Sequence, residues 1–129
     1  MKNILFYIVM IALVSCKAQQ VSITNTEWRL VKLNAEDLSS VNPPITLSLD
    51  EVQKKVNGFA GCNRFFGGYE LNQSMLKFGN MGSTKMFCED KSALEDKYFR
   101  ALGEVQSFKS ESDKLFLLAG STVILEFKK

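Results

Sequence analysis

Apolar and polar residues alternate with a period of two along most of this chain. Ile45-Thr46-Leu47-Ser48-Leu49-Asp50 does so strictly, which predicts a strand with one face buried and the other wet. Thr26 to Leu33 reads as a first strand with Trp28 near its start. Lys54 to Ala60 reads as a third strand, with Asp50-Glu51 in the intervening turn. Tyr69 to Leu71 and Met75 to Phe78 flank Asn72-Gln73-Ser74 as a hairpin. Val105 to Lys109, Lys114 to Leu118 and Thr122 to Phe127 follow, the last two joined through Ala119-Gly120-Ser121. Leu115 to Leu118 is apolar on both faces, as in a central, covered strand. Asn34 to Pro44 gathers Asn, Asp, Ser and Pro and reads as a loop.

One segment departs from this rhythm. Leu94, Tyr98, Ala101, Leu102 and Val105 recur at helical spacing. Ser92-Ala93-Leu94-Glu95 fits a capping box, and Gly103 suits a C-terminal stop. The pattern predicts one amphipathic helix over about residues 90–102, with Asp90, Lys91, Glu95, Asp96, Lys97 and Arg100 on a solvated face. Seven to eight short strands with one helix imply a mainly β fold, a small antiparallel barrel-like domain.

The N-terminal stretch obeys a different logic. Lys2 precedes an unbroken apolar run from Ile4 to Val14, too short for the roughly 20 residues that span a bilayer. This is the form of an export signal. Leu13-Val14-Ser15-Cys16 resembles a bacterial lipobox, in which the cysteine is lipidated and becomes the new N-terminus. Residues 1–15 are thus expected to be a lipoprotein signal peptide, 16–24 a lipidated tether and 25–129 the folded domain. The expected address is the cell envelope; Lys17, not aspartate, follows Cys16, and by resemblance to the sorting rule of proteobacterial lipoproteins that implies the outer membrane, facing the periplasm. Across the whole chain 16 basic and 14 acidic side chains nearly balance. Such a balance gives no electrostatic footprint for nucleic acid. The lipid is therefore the expected membrane contact.

Between the third strand and the hairpin lies the densest cluster of special residues, Gly58-Phe59-Ala60-Gly61-Cys62-Asn63-Arg64-Phe65-Phe66-Gly67-Gly68-Tyr69. A second cluster, Thr84-Lys85-Met86-Phe87-Cys88, holds the other cysteine of the body. Trp28 with Leu30, Gly58-x-x-Gly61-Cys62-Asn63 followed by Gly68-Tyr69, and Thr84-x-Met86-x-Cys88 before a helix together resemble the META domain family, which includes HslJ-like bacterial lipoproteins. The resemblance spans about residues 24–128. It implies a lipocalin-like barrel with a packed helix, Trp28 and Leu30 in its core, and a disulfide between Cys62 and Cys88. Phe87 stands where many relatives have alanine. The family is linked to heat shock, envelope stress, antibiotic tolerance and virulence, without a defined chemical activity.

With Cys16 set aside, one pair of cysteines remains in an oxidising compartment, either bridged or as two buried thiols. With no histidine in the chain, a metal site, a cysteine nucleophile and a serine triad all lack a usual component. Ser83-Thr84-Lys85 lacks the spacing for serine–lysine catalysis. The carboxylate pairs Asp50-Glu51, Glu89-Asp90 and Glu95-Asp96 fall in turns or on the wet helix face. No catalytic residue, metal or cofactor is therefore expected. Asn63 reads first as a turn-holding amide. The sharper reading sets Asn63 and Arg64 on a ligand-facing rim. Phe65, Phe66 and Tyr69 read as core. The expected role is a monomeric, non-catalytic binding or interaction module with an envelope protein partner. A small-molecule binder using the barrel mouth is the alternative, and an uncharacterised hydrolase a distant third.

Overall fold

The computed structural model describes residues 22–129; the signal segment, Cys16 and most of the tether lie outside the described residues. Ten strands and one helix follow in order: β1 (Glu27–Leu33), β2 (Glu36–Asp37), β3 (Thr46–Asp50), β4 (Lys55–Phe59), β5 (Arg64–Asn72), β6 (Met75–Phe78), β7 (Gly82–Ser83), α1 (Ser92–Glu104), β8 (Ser107–Glu111), β9 (Lys114–Ala119) and β10 (Thr122–Lys128). The two strands beyond the expected number include β2, inside the stretch read as a loop, and the two-residue β7. Both are too short for a period of two to show.

All strand pairings are antiparallel, and the sheet closes on itself where β1 meets β10. The path runs β10-β9-β8-β6-β5-β4-β3-β1-β2, with β7 beside β5. Closure removes the free edges that an open sheet would expose. The thinnest seam lies between β6 and β8, which share the single pair Met75↔Ser107.

Alternation sets which side chains enter the barrel. Leu47 and Leu49 of β3 and Val56 of β4 are buried, while their neighbours face out. In β1 the register shifts between Leu30 and Lys32, so that Leu30 and Leu33 both point inward despite odd spacing. A bulge of this kind bends the strand and tightens its twist, which helps a small barrel to close. The interior is filled by large side chains, among them Trp28, Phe65, Tyr98 and Phe127. The packed body begins before residue 25: Ile23 is buried and its carbonyl accepts the Trp28 indole N–H at 2.9 Å.

Helix α1 lays Tyr98, Ala101 and Leu102 into the barrel. Its ends differ from expectation. Lys91 is the N-cap residue and no side chain caps the first turn. Ser92 Oγ instead donates to the Cys88 carbonyl at 2.8 Å, and the Ser92 and Lys91 N–H groups bond to that same carbonyl. Glu95, freed from any capping box, turns inward. Gly103 lies inside the helix, which ends at Val105, where the chain becomes extended and its N–H bonds to the Leu102 carbonyl.

Candidate functional site

Past β4 the chain bends sharply at Ala60-Gly61-Cys62-Asn63 before entering β5, and the bend closes with the Ala60 N–H on the Asn63 carbonyl at 2.8 Å. Two glycines make the bend possible. Gly61 has φ +111°, which a side chain would strain. Gly58 lies so close to the Thr46 carbonyl and the Phe65 ring that any Cβ would collide with both. Gly68, by contrast, has nothing nearer than the Lys54 carbonyl at 3.8 Å from such a Cβ.

The bend turns two successive N–H groups, those of Cys62 and Asn63, toward one point. Such a pair forms a small anion-binding concavity. Its occupant is the protein's own Glu95: Oε2 accepts from Cys62 N at 3.0 Å and from Asn63 N at 2.7 Å, and Oε1 accepts from Asn63 Nδ2 at 2.7 Å. Glu95 is only 7% exposed, which overturns its expected place on a solvated face. Buried carboxylates need hydrogen-bond donors or a cation, and here the donors are main-chain and amide N–H groups. The two ion pairs among the described residues, Lys32–Glu126 and Lys128–Asp113, lie elsewhere.

Asn63 continues the network outward. Its Nδ2 also donates to the Met86 carbonyl at 3.1 Å, and its Oδ1 accepts from Thr84 Oγ1 at 2.9 Å and Met86 N at 2.8 Å. An asparagine side chain has two donor hydrogens and two acceptor lone pairs; all four are used. Asn63 therefore has no group left for a ligand, and the rim reading fails for it; Arg64 is exposed beside it. Cys62 and Cys88 are joined as a disulfide with Cα atoms 5.8 Å apart. Loop 84–91 is thus held to the barrel end both covalently and through Asn63.

That fastening leaves two apolar side chains in solvent. Met86 is 62% and Phe87 83% exposed, so Met86 serves the network through its main chain alone. Phe66 is also exposed, contrary to its expected core position, whereas Phe65 and Tyr69 are buried. Beside the loop lies an open depression lined by Asn63, Thr84, Lys85, Phe87, Glu95 and Phe99. Among the described residues, no three His, Cys, Asp or Glu side chains converge as metal ligands would.

The other motif residues are architectural and apart from this end. Trp28 and Leu30 are in the core. The Tyr69 hydroxyl donates to the Asp50 carbonyl at 2.7 Å, near the β3–β4 turn. Burial and the nearby Asp50 and Glu51 charges raise its pKa. Burial alone pushes the Tyr98 phenol well above its ordinary range. Glu95 was the residue missed. It stands three before Tyr98 and seven before Leu102, in phase with the apolar stripe, and that phase was the available signal.

Three solved structures share the fold. A protein from Burkholderia xenovorans, determined by NMR, is 28% identical with a TM-score of 0.67, over 82% of each chain. A second NMR structure is 22% identical with a TM-score of 0.65, over 82% of this chain and 90% of the other. A DUF4847-family protein from Bacteroides vulgatus ATCC 8482 is 12% identical with a TM-score of 0.61, over 82% and 93%. No curated protein gave a significant match. The META domain model matches residues 21–129, the whole barrel together with its glycine bend, disulfide and helix. On that span the chain belongs to the META domain family.

Proposed function

We propose that this protein is an envelope lipoprotein whose META domain acts as a non-catalytic interaction module, with Met86 and Phe87 as its contact residues, in support of envelope stress tolerance. The observation that carries this reading is the rigid display of those two side chains. A mobile loop would bury them or lose entropy on binding; this one is fixed beforehand by the disulfide and by Asn63. Pre-ordering of a contact segment lowers the cost of association. The filled interior supports the same reading over the barrel-mouth carrier, since a carrier needs room that Trp28, Phe65, Tyr98 and Phe127 take up.

The placement of the loop also fits a tethered protein. Ser22 shares one end of the barrel with Glu51, Lys54 and Leu71. β4 runs from that end toward the Cys62 bend, so loop 84–88 lies at the other. A lipid on Cys16 would hold one end near the membrane and turn Met86 and Phe87 away from it.

The test is a photo-crosslinking amino acid at position 87 of the full-length protein, activated in native envelopes, with position 73 at the opposite turn as control. One abundant adduct specific to position 87 is expected. Equal labelling at both positions, or none at either, overturns the assignment. Labelling with a fatty acid, lost in Cys16→Ala, is the expected result for the anchor; an unlabelled, soluble wild type would refute it.

A further inference from the structure

Among the described residues sulfur is carried by Cys62, Cys88, Met75, Met81 and Met86. These atoms differ in what solvent can do to them. Cys62 and Cys88 are joined, so neither offers a thiol to an oxidant. Met81 is half-buried against the core, and its Sδ lies so close over Gly67 that a Cβ there would collide with it. Met75 is half-buried in β6, where it pairs with Asn72 and Ser107. Met86 is the exposed methionine of the three, at 62%.

Its position is fixed without its side chain. The Met86 N–H donates to Asn63 Oδ1 at 2.8 Å, and its carbonyl accepts from Asn63 Nδ2 at 3.1 Å. Two residues on, Cys88 is bonded to the bend. Nothing in this fastening calls for sulfur, since any residue but proline offers the same main-chain groups. What methionine adds is chemistry. Its thioether takes up an oxygen atom with no bond of the chain broken, and a flexible apolar side chain becomes a polar one.

We propose that Met86 is a reversible oxidation site that switches the contact surface, a role that rests on the interaction reading given above for Met86 and Phe87. The oxidant is a two-electron oxygen donor, a peroxide or a hypohalous acid. With hydrogen peroxide, the sulfur lone pair attacks one oxygen and the O–O bond breaks as the S–O bond forms. The departing hydroxide takes the proton from the oxygen now on sulfur and leaves as water. Sulfur loses two electrons and the peroxide gains them. A methionine sulfoxide reductase reverses the step with a dithiol, which becomes a disulfide as the oxygen leaves as water. The sulfoxide oxygen costs free energy to bury in an apolar contact without a hydrogen bond. The Asn63 bonds and the disulfide are untouched, so the surface changes while the domain stays folded.

The test has two parts. Purified full-length protein is treated with limiting hydrogen peroxide, and its peptides are weighed. Met86 is expected to gain one oxygen atom before Met75 and Met81, with no shift in the urea midpoint. Uptake at Met75 or Met81 as early as at Met86, or a lowered midpoint, overturns the site. In native envelopes, crosslinking from position 87 is expected to be lost as Met86 is oxidised and regained after a methionine sulfoxide reductase is supplied. Met86→Gln, polar and without sulfur, should show the loss with no oxidant present. Crosslinking that survives both oxidation and Met86→Gln overturns the switch. No adduct in untreated protein sinks the interaction reading and the switch with it, whereas the peptide masses decide the oxidation site independently.

Discussion

Replacing Glu95 probes the joint on which the display loop depends. Its carboxylate takes three hydrogen bonds, from Cys62 N, Asn63 N and Asn63 Nδ2. Glu95→Ala leaves two buried main-chain donors bare, at about 1–3 kcal/mol each, and strips one partner from the Asn63 amide. The depression beside Glu95 admits some water, which relieves part of this, so a loss of about 3–5 kcal/mol is expected. Set against the roughly 5–15 kcal/mol that holds a domain together, that is a large fraction. Glu95→Gln is the finer probe. Its amide oxygen can still serve both N–H groups, but its NH2 then faces the NH2 of Asn63, donor against donor. The expected loss is about 2 kcal/mol.

A companion change tests the geometry itself. Asn63→Asp alone sets a carboxylate oxygen against both the Met86 carbonyl and Glu95. In the Glu95→Gln background that oxygen gains a donor. The double variant should therefore be more stable than the two single losses predict, by about 1 kcal/mol or more. Urea unfolding of all four proteins measures this, with the disulfide intact throughout. Hydrogen exchange of the Cys62 and Asn63 amides reports the local effect. A Glu95→Ala loss below about 0.5 kcal/mol, the usual scale of a surface change, would refute the buried network and restore Glu95 to the solvated face.

Four further outcomes follow from particular contacts. Gly58→Ala forces a methyl into the Thr46 carbonyl and the Phe65 ring and should cost about 1–3 kcal/mol or more, whereas Gly103→Ala, with open space at a helix interior, should gain about 0.5–1 kcal/mol; thermal unfolding ranks the two. Replacing both Cys62 and Cys88 by serine, at a sequence separation of 26, should cost about 3–4 kcal/mol by denaturant unfolding while far-ultraviolet circular dichroism keeps its β signature. The raised Tyr98 pKa means the folded state keeps a proton that the unfolded chain loses near pH 10, so stability is full below that pH and falls by about 1.4 kcal/mol per unit above it; Tyr98→Phe should flatten that alkaline slope. Phe87→Ser should leave the unfolding midpoint unchanged while abolishing crosslinking from position 86, because the ring touches solvent more than protein.

The barrel was legible because its signal is local. Leu47 and Leu49 face the core because they alternate with Thr46, Ser48 and Asp50, and the hairpin turn at Gly120 carries the positive φ that glycine suggests, while Gln73 adopts one that its residue type does not announce. The helix was legible for the same reason, but its polar residues were not. Glu95 sits in the apolar stripe, and its donors come from a bend more than 30 residues earlier. Nothing within one helical turn announces them, so its charge, rather than its phase, assigned the carboxylate to water. Phe66 failed in the opposite direction. An aromatic among glycines reads as core, yet strict alternation puts Phe65 inside and therefore Phe66 outside. The bulge in β1 was also hidden, since it becomes visible only when β10 is laid beside it.

The double fastening of loop 84–91 separates two roles that a disulfide alone would confuse. Were the sulfur bridge needed only to hold the barrel, it would not have to be joined by an asparagine that sends three of its side-chain hydrogen bonds to the same loop. Glu95 ties α1 to the bend, and Asn63 ties the bend to Met86, so the loop stays registered against both elements whichever way the helix is pulled. The bridge then fixes the far side of Phe87 through Cys88. Between those two points of attachment the main chain is held at Met86 and at Cys88, and the Met86 and Phe87 side chains stand in solvent rather than on the barrel, against the pull of hydrophobic burial. On the proposed interaction role, an apolar pair kept in water beside several independent bonds is a contact surface rather than a defect of packing.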